Sequence, residues 1–102
     1  MKLLTIGEAM AELRRDTKDG WRVGFAGDTF NTAVYAARIL GGGVGFLSRA
    51  GEDPLSADLR DFARAEGLDP SLIARDPARQ IGMYSVSTDG QGERSFHYWR
   101  NQ

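Results

Sequence analysis

Apolar residues follow two different spacings along this chain, and the two spacings predict a mixture of strands and helices. An uninterrupted apolar run from Leu3 to Ile6, ending in Gly7-Glu8, is typical of a buried strand at the centre of a parallel sheet. Val44 to Ser48 predicts a second buried strand. Because ligands of open α/β sheets bind at the carboxyl ends of the strands, we expect Glu8 to lie near such a site.

A helix is predicted between these two strands. From Asp28 to about Leu40 the apolar residues recur every three or four positions, which is the spacing of one helix face. Asp28 is the expected N-cap, and Gly41 is expected to end the helix because glycine adopts a positive φ without a steric penalty. Strand, helix and strand in this order predict a right-handed βαβ unit.

A second helix is predicted after the second strand. Asp53 is a suitable N-cap, Pro54 suits the first helical position, and Gly67 is the expected C-cap. The residues from Leu68 to Ala74 then predict a short third strand.

Two other segments alternate between apolar and polar residues, which predicts β-hairpins with one exposed face. The first covers about 11–26, with a turn at Thr17-Lys18-Asp19-Gly20, and the second covers about 81–100, with a turn at 89–93. We interpret the hairpins as a lid over the carboxyl-terminal edge of the sheet. The predicted fold class is therefore α/β, a partial parallel sheet with flanking helices plus a β-hairpin lid, and residues 1–102 are one portion of a single domain.

Composition narrows the function classes. At 102 residues the chain forms one domain at most, and 41% apolar and 26% charged residues are ordinary for a globular protein. A net charge of −1 gives no reason to expect nucleic acid or a membrane surface as a partner, and the absence of cysteine excludes disulfides and thiolate chemistry. No signal peptide or membrane span is recognisable, so a cytoplasmic location is expected by default.

The segment Gly27-Asp28-Thr29-Phe30-Asn31 is the first candidate site. It places a helix N-terminus at the end of a strand, where backbone N–H groups can meet a polar ligand. Gly27 allows a ligand to approach the backbone, and the side chains of Asp28 and Asn31 suit the hydroxyls of a vicinal diol. The alternative remains open at this point that Asp28 only caps the helix and that Asn31 is only an exposed residue of its first turn.

The strand Phe96-His97-Tyr98-Trp99-Arg100 is the second candidate. Tyr98 and Arg100 fall on one face by the period of two, and arginine suits a bidentate grip on a carboxylate. Tyr84 on the partnering strand could face the same cleft. An equally open alternative is an aromatic-rich sheet edge, since aromatic residues favour strands.

Other kinds of site find less support. His97 lacks a positioned partner, so a structural or surface role is favoured over general base catalysis. No His, Asp or Glu cluster has metal-ligand spacing, and no P-loop occurs. The glycine run at 41–45 follows a helix and opens a strand, which is the wrong order for a dinucleotide-binding fingerprint.

Taken together, these motifs resemble the N-terminal signature of the ribokinase-like (PfkB) carbohydrate kinases. The resemblance covers essentially the whole chain and rests on Ala26-Gly27-Asp28-Thr29-Phe30-Asn31-Thr32-Ala33, Gly41 and Gly51-Glu52-Asp53. Gly82-Met83-Tyr84, and Gly92-Glu93-Arg94-Ser95-Phe96 leading into Tyr98-Trp99-Arg100, are most similar to the subgroup of 2-keto-3-deoxygluconate kinases (2-dehydro-3-deoxygluconokinases). One departure is Leu40, which stands where a glycine is common.

The resemblance implies a function and assigns roles to residues. It implies a three-layer α/β core, a β lid that often forms a homodimer contact, and ATP-dependent phosphorylation of a small-molecule sugar with Mg²⁺. Gly27 to Asn31 would hold sugar hydroxyls and Tyr84 would contact the sugar. Tyr98 and Arg100, with Trp99 between them, would hold the acidic end of a sugar acid.

The catalytic half of such a kinase site is not recognisable in the sequence. The family's catalytic Asp lies in a late Gly-Ala-Gly-Asp motif, which does not occur here, and no ATP pocket is recognisable. The chain is therefore expected to supply the substrate-binding part and to be inactive alone. Another PfkB sugar kinase such as a fructokinase, and a non-catalytic sugar-binding or dimerisation module, are the alternatives.

Overall fold

The protein is described by a computed structural model that covers residues 2–15 and 20–100. The predicted turn residues Thr17, Lys18 and Asp19 lie outside this described part. The elements in chain order are β1 (Leu3–Ile6), β2 (Met10–Arg15), β3 (Trp21–Ala26), α1 (Asp28–Leu40), β4 (Val44–Ala50), α2 (Pro54–Ala65), β5 (Ile73–Arg75), β6 (Gly82–Thr88) and β7 (Arg94–Trp99), with a 3-10 turn at Pro70–Leu72.

A three-stranded parallel sheet, in the order β1-β4-β5, forms the base of the fold. Both helices pack on one face of this sheet, where the ring of Phe30 in α1 lies 5.1 Å from Phe46 of β4 and 5.9 Å from Phe62 of α2. Phe30 and Phe46 are fully buried and lie at the centre of the core. Burying such large aromatic side chains supplies much of the free energy that holds helices to a sheet.

The prediction that β1 is a buried central strand is wrong for the described residues. β1 pairs only with β4 and lies at the edge of the sheet, with Leu4 exposed to 46% and Ile6 to 64%. The physical reason is that α1 and α2 both pack on the other face, so the side chains of Leu4 and Ile6 point away from the core. The apolar run correctly indicated a strand but did not determine its neighbours.

A four-stranded sheet, in the order β3-β2-β6-β7, is built from the two predicted hairpins. β2 and β3 pair antiparallel, as do β6 and β7, which confirms both hairpins. β2 and β6 join the hairpins as parallel neighbours, with Glu12 opposite Tyr84. The expectation of an α/β fold with a parallel sheet, flanking helices and a β-hairpin layer is therefore confirmed.

The boundaries of α1 confirm the prediction, except at its cap. The N-cap is Gly27, with φ 136° and ψ 142°, and no side chain caps the helix. Asp28 is the first helical residue, so its assignment as N-cap is wrong. At the other end Gly41 adopts φ 77° and its N–H donates to Ala37 O, which confirms it as the residue that ends the helix.

The start of α2 confirms the prediction, since the Asp53 side chain accepts a hydrogen bond from Ser56 N and Pro54 is the first helical residue. Its C-cap is Glu66, so the prediction of Gly67 was one residue late. The third strand, Ile73–Arg75, begins later than predicted because residues 70–72 form a 3-10 turn. Neither helix in the described part of the chain is long and apolar enough to cross a membrane.

Candidate functional site

A cleft of about 450 Å³ lies between the carboxyl end of β1, the N-terminus of α1 and one face of the four-stranded sheet. Seven of the nine residues predicted as substrate-binding line it together. The lining residues are Gly7, Glu8, Met10, Ala26, Gly27, Asp28, Thr29, Asn31, Tyr84, Phe96, Tyr98 and Arg100.

Two glycines allow the backbone segments at the base of the cleft to pack closely. A Cβ at Gly27 would lie 2.4 Å from the carbonyl oxygen of Glu8, and the φ of Gly27 is one that side chains disfavour. A Cβ at Gly7 would lie 2.0 Å from Thr29 Oγ1. The Thr5 hydroxyl also donates to Thr29 O at 3.0 Å, which ties β1 to the first turn of α1.

The first turn of α1 offers polar groups to the cleft. Asp28 and Asn31 are exposed, and their side chains make no hydrogen bond to residues 2–15 or 20–100. Backbone N–H groups of a first helical turn are hydrogen-bond donors, while the carboxylate of Asp28 accepts. This mixture of donors with a negative charge suits neutral hydroxyl groups better than an anion.

An aromatic wall faces this turn from the four-stranded sheet. The rings of Tyr84 and Tyr98 lie 5.6 Å apart, and Phe96 stacks beside Tyr98 at 6.3 Å. Tyr84 is buried and its hydroxyl donates to the carboxylate of Glu12. Burial raises the pKa of the Tyr84 phenol, and the hydrogen bond to Glu12 raises it further. Tyr84 lines the cleft, and because its proton is donated to Glu12, its hydroxyl oxygen can serve a ligand only as an acceptor.

Arg100 brings a positive charge to the same cleft. Its Nη2 donates to Glu8 Oε1 at 2.6 Å, and its guanidinium lies 5.8 Å from the ring of Tyr98. The hydrogen bond to Glu8 raises the pKa of Arg100, and both side chains remain about half exposed. A guanidinium has five donors, so Arg100 retains others for a ligand carboxylate.

Two predicted site residues lie elsewhere. Phe30 is fully buried in the core, because the helical spacing that predicted α1 places it on the apolar stripe. Trp99 borders a separate depression with Pro54 and Met83, on the opposite face of β7 from Tyr98. The exposed His97 is also on that opposite face, since residues of a strand alternate between faces.

Phe96 and Glu12 were not predicted to bind substrate, although Phe96 belongs to the candidate strand 96–100. Phe96 carried a usable signal, because it shares the period of two with Tyr98 and Arg100. Glu12 could be found only through its register with Tyr84, which depends on the parallel pairing of β2 with β6. No group of three potential metal-ligating side chains occurs among the described residues.

Comparison with known proteins gives a consistent result. The profile of the pfkB family of carbohydrate kinases matches residues 1–102. The chain is 41% identical to 2-dehydro-3-deoxygluconokinase of Escherichia coli (strain K12), over 99% of this chain and 33% of that protein. It is 32% identical to a fructokinase of Klebsiella pneumoniae, over 95% of this chain and 31% of that protein. The chain thus spans about a third of the length of these relatives.

Solved structures agree with the sequence relatives. A fructokinase from Xylella fastidiosa with bound ATP superposes with a TM-score of 0.86 at 30% identity, over 97% of this chain and 30% of that chain. The 2-dehydro-3-deoxygluconokinase of Thermotoga maritima superposes with a TM-score of 0.84 at 26% identity, over 98% of this chain and 32% of that chain.

Proposed function

Because the chain belongs to the pfkB family of carbohydrate kinases, we propose that it forms the substrate-binding part of a kinase that phosphorylates 2-keto-3-deoxygluconate with ATP. The relatives named 2-dehydro-3-deoxygluconokinase support this substrate over others of the family. The reaction transfers the terminal phosphoryl group of ATP to a hydroxyl of the sugar acid.

The position of Arg100 is the single observation that carries the choice of a sugar acid. A neutral sugar requires hydroxyl partners, which Asp28, Asn31 and the first-turn N–H groups can supply. A sugar acid also requires a cation, and Arg100 lines the same cleft as that turn. In this arrangement the hydroxyls lie at the α1 N-terminus, the carbon chain lies on the rings of Tyr84 and Tyr98, and the carboxylate meets Arg100.

ATP and Mg²⁺ are proposed as the co-substrate and metal of the whole enzyme. The ATP-bound relatives support nucleotide use. The described residues do not fit either group, since they contain no cluster of metal ligands and no recognisable phosphate-binding loop. We therefore assign no nucleotide or metal contact to this chain. A cytoplasmic location is proposed with this activity, because ATP is abundant there.

Fructose is the second candidate substrate, because fructokinases are among the relatives at 32% identity. The competing substrates are separated by steady-state kinetics of the protein at its full encoded length, with ATP and Mg²⁺. We expect kcat/KM for 2-keto-3-deoxygluconate to exceed that for fructose by about tenfold or more, since discrimination through a charged partner is strong. A higher value for fructose would show that the fructokinase alternative is correct.

The 102-residue chain alone is proposed to be inactive, since the sequence contains no Gly-Ala-Gly-Asp motif to supply the base. Phosphorylated product above background from this chain, ATP, Mg²⁺ and the sugar acid would contradict that proposal.

The non-catalytic alternative is a sugar-binding or dimerisation module that pairs through the four-stranded sheet. Its strand β7 is exposed along its whole length, including Phe96 and Tyr98. Size-exclusion chromatography combined with a calorimetric titration of the sugar acid distinguishes the two. A discrete homodimer of the chain alone that binds the acid favours the module.

A further inference from the structure

Glu8 and Arg100 link the two sheets across one end of the cleft. Glu8 follows β1 of the three-stranded sheet, and Arg100 follows β7 of the four-stranded sheet, 92 residues later. Their 2.6 Å contact joins Glu8 Oε1 to Arg100 Nη2. An exposed ion pair of this kind contributes little to stability, which suggests that its value lies in geometry rather than in folding.

The location of Glu8 is defined by close packing on both sides. Its carbonyl oxygen lies against Gly27, where a Cβ would approach to 2.4 Å. Its carboxylate lies against Gly82 at the start of β6, where a Cβ would lie 3.1 Å from Oε2. Glu8 therefore has a closely packed backbone beside the α1 N-terminus, and its carboxylate lies at the start of β6, an inner strand of the four-stranded sheet.

Arg100, by contrast, has little to hold it in place. It follows the last residue of an exposed edge strand, and its side chain is 53% exposed. Within the described residues its only hydrogen-bond partner is Glu8. An arginine that must be ordered by its ligand loses rotamer entropy on binding, whereas one that is already ordered loses less.

We propose that Glu8 is a positioning residue that holds the Arg100 guanidinium across the cleft and thereby sets the preference for an acidic substrate. This inference rests on the proposed function, since it assumes that Arg100 receives the substrate carboxylate. Glu8 accepts a hydrogen bond from Nη2, and the other N–H groups of the guanidinium remain available to the substrate carboxylate. Glu8 acts through Arg100 and makes no contact with the reacting atoms.

The test measures kcat/KM of the protein at its full encoded length for 2-keto-3-deoxygluconate and for fructose, and uses their ratio. We expect Glu8→Ala to lower the ratio about three- to tenfold, the cost of ordering one long side chain. Glu8→Gln keeps an amide oxygen that accepts from Nη2, so it should restore most of the ratio. Glu93→Ala, in the exposed turn before β7, is the matched control and should leave the ratio unchanged.

A double-mutant cycle separates positioning from a general structural role. In an Arg100→Ala background, Glu8→Ala should cause no further fall in the ratio. A further fall of the same size in the double variant would overturn the proposal. It would also be overturned if Glu8→Ala alone left the ratio unchanged, or raised it because Glu8 competes with the substrate carboxylate. If Arg100→Ala itself leaves the ratio unchanged, the proposed sugar-acid specificity fails as well. If the ratio falls with Arg100→Ala but not with Glu8→Ala, the role of Glu8 is refuted while the proposed sugar-acid specificity stands.

Discussion

The carboxylate of Asp53 accepts a hydrogen bond from the backbone N–H of Ile81 at 3.2 Å, although 28 residues separate the two. The same carboxylate accepts from the backbone N–H and the hydroxyl of Ser56, at 3.0 and 2.6 Å. One side chain therefore caps α2 and also holds the residue before β6, the strand that carries Tyr84 into the cleft. This contact links the helix layer to the four-stranded sheet.

Replacing Asp53 should weaken the fold in a pH-dependent way. Burial acts to raise the pKa of Asp53, but the hydrogen bonds from Ser56 and Ile81 outweigh it and hold the pKa below its ordinary value. Because the pKa of Asp53 is lower in the folded state, its ionised carboxylate stabilises the protein at pH values above the unfolded-state pKa of about 3.9. This stabilisation is lost as the pH falls through the folded-state pKa. Asp53→Ala should cost about 1–2 kcal/mol at pH 7 in urea unfolding, and less below about pH 4. An equal cost at both pH values, or an equal effect of the exposed control Asp58→Ala, would contradict this.

Arg60 is a buried cation that organises four backbone carbonyls. It is 5% exposed, and its guanidinium donates to Gly51 O, Ser56 O, Ile73 O and Ala74 O. Arg60→Ala should destabilise the protein by about 2–4 kcal/mol, because buried carbonyls lose their donors. The control Arg64→Ala removes a mostly exposed arginine from the same helix and should cost less than about 0.5 kcal/mol. Comparable values for the two variants in chemical denaturation would refute this role.

Gly27 should tolerate no side chain. Gly27→Ala meets both a disfavoured φ of 136° and the carbonyl oxygen of Glu8, so we expect a loss of about 2 kcal/mol or more. Gly24→Ala is the matched control, because no heavy atom beyond its chain neighbours lies within 4 Å of the added Cβ. Thermal unfolding of both variants tests the difference, and an unchanged melting temperature for Gly27→Ala would show that the packing at the base of the cleft is wrong.

The Tyr84 phenol should remain protonated at alkaline pH. Its pKa is raised by burial and by the hydrogen bond to Glu12, so it stabilises the fold below the unfolded pKa of about 10, and this contribution is lost as the pH rises through the folded value. Ultraviolet titration should show a phenol ionisation above pH 10 in the folded protein that the unfolded protein lacks. Tyr84→Phe should remove that difference, whereas Tyr35→Phe, at an exposed helix position, should not.

Much of the fold was accessible from the sequence because it depends on local periodicity. The helical spacing from Asp28 to Leu40 and the alternation on both sides of the 89–93 turn defined their elements almost to the residue. The same rules should have excluded two site residues. Phe30 lies on the apolar stripe of α1, and Trp99 alternates with Tyr98, so neither could face the cleft.

What the sequence did not reveal depends on contacts between distant residues. The edge position of β1 follows from how the strands pair, which an apolar run does not encode. The contact between Glu8 and Arg100 spans 92 residues, and the burial of Arg60 requires carbonyls from two separate segments. Arginine is mostly an exposed residue, so no local pattern predicts such burial.

The proposed binding of a sugar-acid carboxylate by Arg100 is tested most directly with the Arg100→Ala variant of the protein at its full encoded length. Calorimetric titration should show the Kd for 2-keto-3-deoxygluconate rising about 10- to 100-fold, as expected for loss of a charge-assisted hydrogen-bonded pair. The Kd for fructose should change less than about threefold. Arg94→Ala, six residues earlier on the same strand face, should change neither. Equal weakening of both sugars, or no weakening of the acid, would contradict the account.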